Sequence, residues 1–177
     1  MNLPKGKSYR LVTDGLFDAA TATASPGALW VRNGQVVART TPDAVLPGFT
    51  ELPLLDLRGL VVFPTLVDTH VHVYMNPWPL KPAQRTDPGS GTFSEELQGA
   101  LERMREAFAA GVGVLRDLGD PLELNLAAAA LASGDSSLPR LVTAGTALYR
   151  EGRYGRFLGK GSKDLPTLLE QIRKLAA

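Results

Sequence analysis

The sequence contains no cysteine and only two histidines. The first absence excludes disulfides and thiolate metal sites, and it leaves the chain indifferent to redox compartment. An excess of charge of one sign is missing too: 19 Lys and Arg stand against 18 Asp and Glu, a formal net charge of +1. That balance points to neither a nucleic-acid partner nor a membrane surface. No apolar stretch approaches the ~20 residues of a membrane span. The residues from Met1 to Ser8 lack the apolar centre of a signal peptide, so a cytoplasmic location is the expectation. Hydrophobic residues make up 44% and charged residues 21%, the proportions of an ordinary globular protein. A chain of 177 residues then suffices for one good core, or for a small domain plus part of a larger one.

Both histidines fall in one stretch, an apolar run from Leu60 to Val73 whose last part reads Asp68-Thr69-His70-Val71-His72-Val73. A short run rich in Val and Leu that ends at polar residues predicts a strand buried on both faces of a parallel sheet. Alternation along a strand puts Asp68, His70 and His72 on one face and Thr69, Val71 and Val73 on the other. Two imidazoles at this spacing converge on a common point and suit a divalent ion such as zinc. A ligating histidine needs its second ring nitrogen held by a carboxylate or a carbonyl. Asp68 suits that task, and equally that of a polar residue filling a layer of the fold.

Residues from about 9 to 60 read as short strands. Ala28 to Arg32 and Gln35 to Arg39 flank Asn33-Gly34, a hairpin signal because both turn positions tolerate positive φ. Thr21 to Gly27 reads as a turn, and Glu51 to Leu57 as a further strand. Past His72, the stretch Tyr74 to Pro82 is too rich in proline for a helix or a central strand. Tyr74 and Trp78 there either line a pocket or pin down a long loop. Thr92-Phe93-Ser94-Glu95 has the form of a capping box; Leu97, Leu101, Met104 and Phe108 follow as an apolar stripe, and Gly111 ends the helix. Val112 to Asp117 reads as a second buried strand. A helix opens at Asp120, which caps it, and runs to Gly134; Pro139 to Ala144 is a third strand. Strands alternating with such helices predict right-handed βαβ units and a parallel sheet. Arg150 to Lys163 combines glycines with five basic side chains and reads as a mobile loop, without the spacing of a phosphate-binding motif. Asp164 caps a last helix with the stripe Leu165, Leu168, Leu169, Ile172 and Leu175.

The stretch Val62-Phe63-Pro64-Thr65-Leu66-Val67-Asp68-Thr69-His70-Val71-His72 resembles the metal-binding first barrel strand of the amidohydrolase superfamily, in its imidazolonepropionase-like and Xaa-Pro dipeptidase-like branch. Ala110 to Gly119 and Arg140 to Gly145 resemble that family's second and third strand regions. Relatives usually have Gly at the position of Thr65, and some carry Gly-Gly-His where this chain has Gly152-Arg153-Tyr154. The resemblance implies an α/β fold: half of a small β-sandwich over residues 1–60, then a partial TIM-like (β/α) barrel of about three βα units over 61–177. It implies hydrolysis of an amide or cyclic-amide C–N bond of a small-molecule substrate by a metal-activated water, with His70 and His72 as metal ligands. Asp117 is expected near the same face as a polar neighbour and not as a ligand. The family's other ligands and its basic Asp lie on later strands, so the chain alone is expected to be an inactive amino-terminal fragment, completed by a carboxy-terminal partner chain or a homo-oligomer. Two other readings stay open: a non-catalytic module that pairs through an open sheet edge, and a metal-binding protein completed by self-association.

Overall fold

The computed structural model describes residues 8–49, 51–76 and 91–176. Ten strands and three helices are seen among them, in two compact units, Met1–Pro64 and Thr65–Ala177.

The first unit is a single mixed sheet. Strand β1 (Tyr9–Asp18) pairs antiparallel with β2 (Thr23–Arg32), which pairs antiparallel with β3 (Gln35–Thr40). Asn33 and Gly34 turn the β2–β3 hairpin at φ 52° and 78°, the left-handed conformations this turn requires. The stretch Thr21 to Gly27, expected to be a turn, is mostly strand. Pro26 is tolerated there because the β1–β2 register shifts between Thr13 and Leu16, opposite it, and no ladder N–H is needed. Strands β4 (Leu54–Asp56) and β5 (Val61–Val62) both run parallel to β1. Leu11, Leu16, Trp30 and Val31 supply this unit's buried side chains, and the Trp30 indole N–H donates to Thr40 Oγ1 at 2.9 Å.

The apolar run from Leu60 is therefore two elements. Val61–Val62 belongs to the first sheet, and β6 (Leu66–Val71) opens the second unit. That unit holds a parallel sheet in the order β6, β7 (Val112–Asp117), β8 (Arg140–Thr143). One face is covered by α1 (Phe93–Ala109) and α2 (Leu124–Gly134). Leu101 and Met104 from α1, Ala128 from α2, Leu115 from β7 and Leu141 from β8 form one core cluster with Val73. The expected capping box is present: Thr92 Oγ1 accepts the Glu95 N–H, and the Glu95 carboxylate accepts the Thr92 N–H at 2.8 Å. Phe108 ends the stripe exposed.

Burial of β6 on both faces is not what the structure has. Leu66 and Val67 are 50% and 56% exposed. The physical reason is what covers the strand: among the described residues β6 pairs with β7 alone, and Val67 lies on the sheet face opposite α1 and α2. The loop expected over Arg150 to Lys163 also contains structure, since β10 (Gly159–Ser162) runs parallel to β9 (Ala147–Arg150). Its glycines serve close approach, because a Cβ at Gly159 would lie 1.8 Å from the Ala147 carbonyl oxygen. Helix α3 (Leu165–Leu175) is capped by Asp164, which accepts the Thr167 N–H at 2.9 Å.

Met104 has no solvent exposure and sits at the centre of the second core. Met104→Ala is expected to destabilise the chain by about 2–5 kcal/mol, while Phe108→Ala on the same helix costs much less. Urea unfolding of the two variants checks the contrast.

Candidate functional site

The site lies where β6 ends. His70 is its penultimate residue and His72 follows it directly. Their rings stand 5.5 Å apart between centroids and edge-on, at 75°. His70 is exposed and His72 half-buried. The His72 Nδ1–H donates to the Gly119 carbonyl at 2.9 Å. A carbonyl can only accept, so this bond places the proton on Nδ1 and leaves the lone pair on Nε2.

Asp68 has a different partner from the one its spacing suggests. Its Oδ1 accepts the backbone N–H of His70 at 3.0 Å, within the stretch where the β6–β7 register shifts between Asp68 and Val71. The extra β6 residue there interrupts strict alternation. As a result Asp68, Val71 and His72 all line one hollow of about 630 Å³, walled also by Arg103, Met104 and Leu115.

Asp117, the last residue of β7, has no solvent exposure. Its carboxylate accepts the Val73 N–H at 2.7 Å, the Gly119 N–H at 2.9 Å and an Asn125 side-chain N–H at 2.8 Å. On the other side of the same backbone, Arg103 donates from Nε to the Val73 carbonyl and from Nη2 to the Tyr74 carbonyl, both at 2.9 Å. Asp120 supports α2, although the helix begins later than expected, at Leu124, with Glu123 before it in a left-handed turn at φ 61°. The Asp120 carboxylate accepts the N–H groups of Leu122 at 2.7 Å and Asn125 at 3.0 Å. Burial pushes its carboxyl above the usual range, and these bonds pull the other way.

Tyr74 is fully buried, and its hydroxyl donates to the Phe157 carbonyl. Trp78 lies outside the described residues. Arg103, Gly119 and Asn125 escaped the reading of the sequence. The signal available for Asn125 was a lone amide near the start of an Ala-rich helix.

No protein-family model and no curated protein matches the sequence. Solved structures do match in fold. A Xaa-Pro dipeptidase with bound methionine in the active site superposes with a TM-score of 0.75 at 19% identity, over 96% of this chain and 44% of its own. An amidohydrolase gives 0.69 at 17%, over 94% of this chain and 44% of its own. The chain shares its fold with part of each of these proteins. A. niger ochratoxinase shares it, with a TM-score of 0.72 at 15% identity over 98% of this chain and 45% of its own. The chain thus spans less than half the length of these solved structures. None of its described helices is long and apolar enough to cross a membrane.

Burial, reinforced by Asp120, Asp117 and Tyr154, holds the Tyr74 phenol above its ordinary value of 10.0. A phenol that ionises later in the folded chain than in the unfolded one gives stability that is complete below pH 10.0 and lost as pH rises past it. Tyr74→Phe is therefore expected to cost about 1 kcal/mol at neutral pH through the lost hydrogen bond, and to flatten the alkaline decline. Urea melts at neutral pH and at several alkaline pH values check both parts.

Proposed function

We propose that these residues form the first portion of a metal-dependent amidohydrolase that cleaves amide or cyclic-amide C–N bonds of a small molecule. His70 and His72 are two ligands of a divalent ion, and their imidazole chemistry favours zinc. The observation that carries this reading is the Gly119 carbonyl on His72 Nδ1, which leaves Nε2 as a bare donor atom. Among the described residues no group of three or more His, Cys, Asp or Glu side chains could surround an ion. The pair accordingly fits as part of a larger donor set.

When bound, the ion supplies the Lewis acidity that activates a water and polarises the scissile carbonyl. This chain's residues hold the geometry. His70 and His72 present their rings from one strand end, Asp117 and Arg103 fix the backbone just beyond them, and the hollow beside β6 offers an apolar wall of Val71, Ala107 and Val112. The remaining ligands and the general base come from further strands, on the same or another polypeptide. The uncovered sheet face favours such completion: Val67 and Val142 are 56% and 41% exposed, whereas parallel sheets are ordinarily covered on both faces. The similarity to a Xaa-Pro dipeptidase agrees with the C–N bond class.

Calorimetric titration of the 177-residue chain with zinc tests the ligand assignment. Weak binding is expected, abolished in a His70→Ala/His72→Ala double variant whose fold is retained. Binding also weakens on acidification, since only neutral imidazole ligates. Equal affinity in the wild type and the double variant would sink the assignment. Light scattering tests completion: the chain should associate as its concentration rises, and Val67→Lys with Val142→Lys should reduce that association.

A further inference from the structure

The buried polar group around Asp117 has a geometry that leads to His72 by two routes. Asp117 Oδ2 accepts the N–H of Val73, the residue directly after His72, at 2.7 Å. Asp117 Oδ1 accepts the N–H of Gly119 at 2.9 Å, and the carbonyl of that same residue holds the His72 ring. Backbone and ring of His72 are therefore both referred to one carboxylate. Asn125 fixes that carboxylate in turn: its Nδ2 donates to Asp117 Oδ1 at 2.8 Å and to the Gly145 carbonyl at 2.7 Å. Both neighbours of this amide nitrogen are acceptors, so the amide has one allowed orientation, since turned over its oxygen would face two oxygens. Gly119 completes the arrangement at φ 141°, where a Cβ would fall 2.4 Å from Ala147 Cβ and 2.9 Å from the Ala147 backbone N. A larger residue would displace the peptide that holds the ring.

We propose that Asn125 and Asp117 are positioning residues for His72. Together they hold the Gly119 carbonyl and the Val73 amide so that the His72 proton stays on Nδ1 and the Nε2 lone pair is available to a divalent cation. The cation rests on the metal reading given above, whereas the tautomer requires no metal. Asn125 lies on α2 and hydrogen-bonds Asp117, so its effect on His72 travels through Asp117. A residue that only filled space there would change stability and leave the tautomer alone.

The test uses the full chain labelled with 15N, free of metal, at a pH where both imidazoles are neutral. Long-range 1H–15N spectra report which ring nitrogen carries the proton, and a His70→Ala chain assigns the two residues. Wild-type His72 is expected as the Nδ1–H form. Asn125→Ala removes the brace, and Asp117→Asn keeps the shape but turns an N–H toward the Val73 amide. Both are expected to shift His72 toward a mixture with the Nε2–H form and to lower zinc affinity by about 10–100-fold. Leu138→Ala, a core truncation away from the histidines, should lower stability with tautomer and affinity unchanged. If Asn125→Ala does not fold, the near-isosteric Asp117→Asn decides. An unmoved tautomer in Asp117→Asn overturns the proposal. So does an Nε2–H form in the wild type, which needs no variant. A tautomer that shifts in a chain with no zinc affinity keeps the positioning role and removes the metal reading; zinc binding that persists with an unmoved tautomer does the reverse.

Discussion

A carboxylate without solvent exposure is tolerated in a protein interior only if its oxygens are supplied with donors. Asp117 meets that condition with three N–H groups, and each comes from a different segment: Val73 after β6, Gly119 after β7, and Asn125 on α2. The cost of leaving any of them unpaired, about 1–3 kcal/mol for a buried polar group and more for a charge, binds those segments to one arrangement. The turn after β8 joins them through the Gly145 carbonyl, which accepts from Asn125 and from the Asp120 N–H. The carboxyl-terminal ends of all three parallel strands are thus tied at one polar knot, while the apolar cluster around Met104 packs behind them.

The two faces of that sheet have opposite characters. Behind it, α1 and α2 bury Leu115 and Leu141, which are neighbours across β7 and β8. On the other face Val142 and Val67 remain open to solvent, and Arg116 is paired in register with Val142. A parallel sheet covered on one face alone leaves apolar area in water at roughly 25 cal/mol per Å². Anything packed over that face would remove the penalty.

Local chemistry explains what the sequence made legible. The capping box at Thr92 and Glu95, the Asn33-Gly34 turn and the Asp164 cap are each fixed by a few adjacent residues, so spacing alone located them. The order of the three parallel strands also followed from short βα alternation. Burial did not follow, because whether Leu66 and Val67 are covered depends on what packs over β6, and no pattern within the run encodes that. Pro26 and its neighbours looked like a turn because the β1 irregularity that admits them lies a dozen residues upstream. The same limit applied to the site. His70 and His72 announced themselves by spacing, yet the group that holds the His72 ring is a backbone carbonyl, which has no letter in a sequence. Asp68 was the nearest acidic side chain in the strand, and the register shift beside it turned its carboxylate to the His70 N–H instead.

These features bear on one another at β6. An edge strand is ordinarily the least constrained part of a sheet, with one row of its backbone groups unpaired. Side chains that act together need the contrary, to be held close to one geometry by their surroundings. The structure reconciles the two demands by restraining the end of the strand independently of its edge. Asp117 takes the Val73 N–H, Arg103 takes the Val73 and Tyr74 carbonyls, the Met75 N–H returns to the His72 carbonyl at 3.0 Å, and the Leu118 N–H closes on the Val71 carbonyl at 3.1 Å. From Val71 to Met75 each residue therefore has a backbone group held, whatever lies against the outer edge. The histidine end of β6 is thus restrained by its own hydrogen bonds, independently of the strand's outer edge.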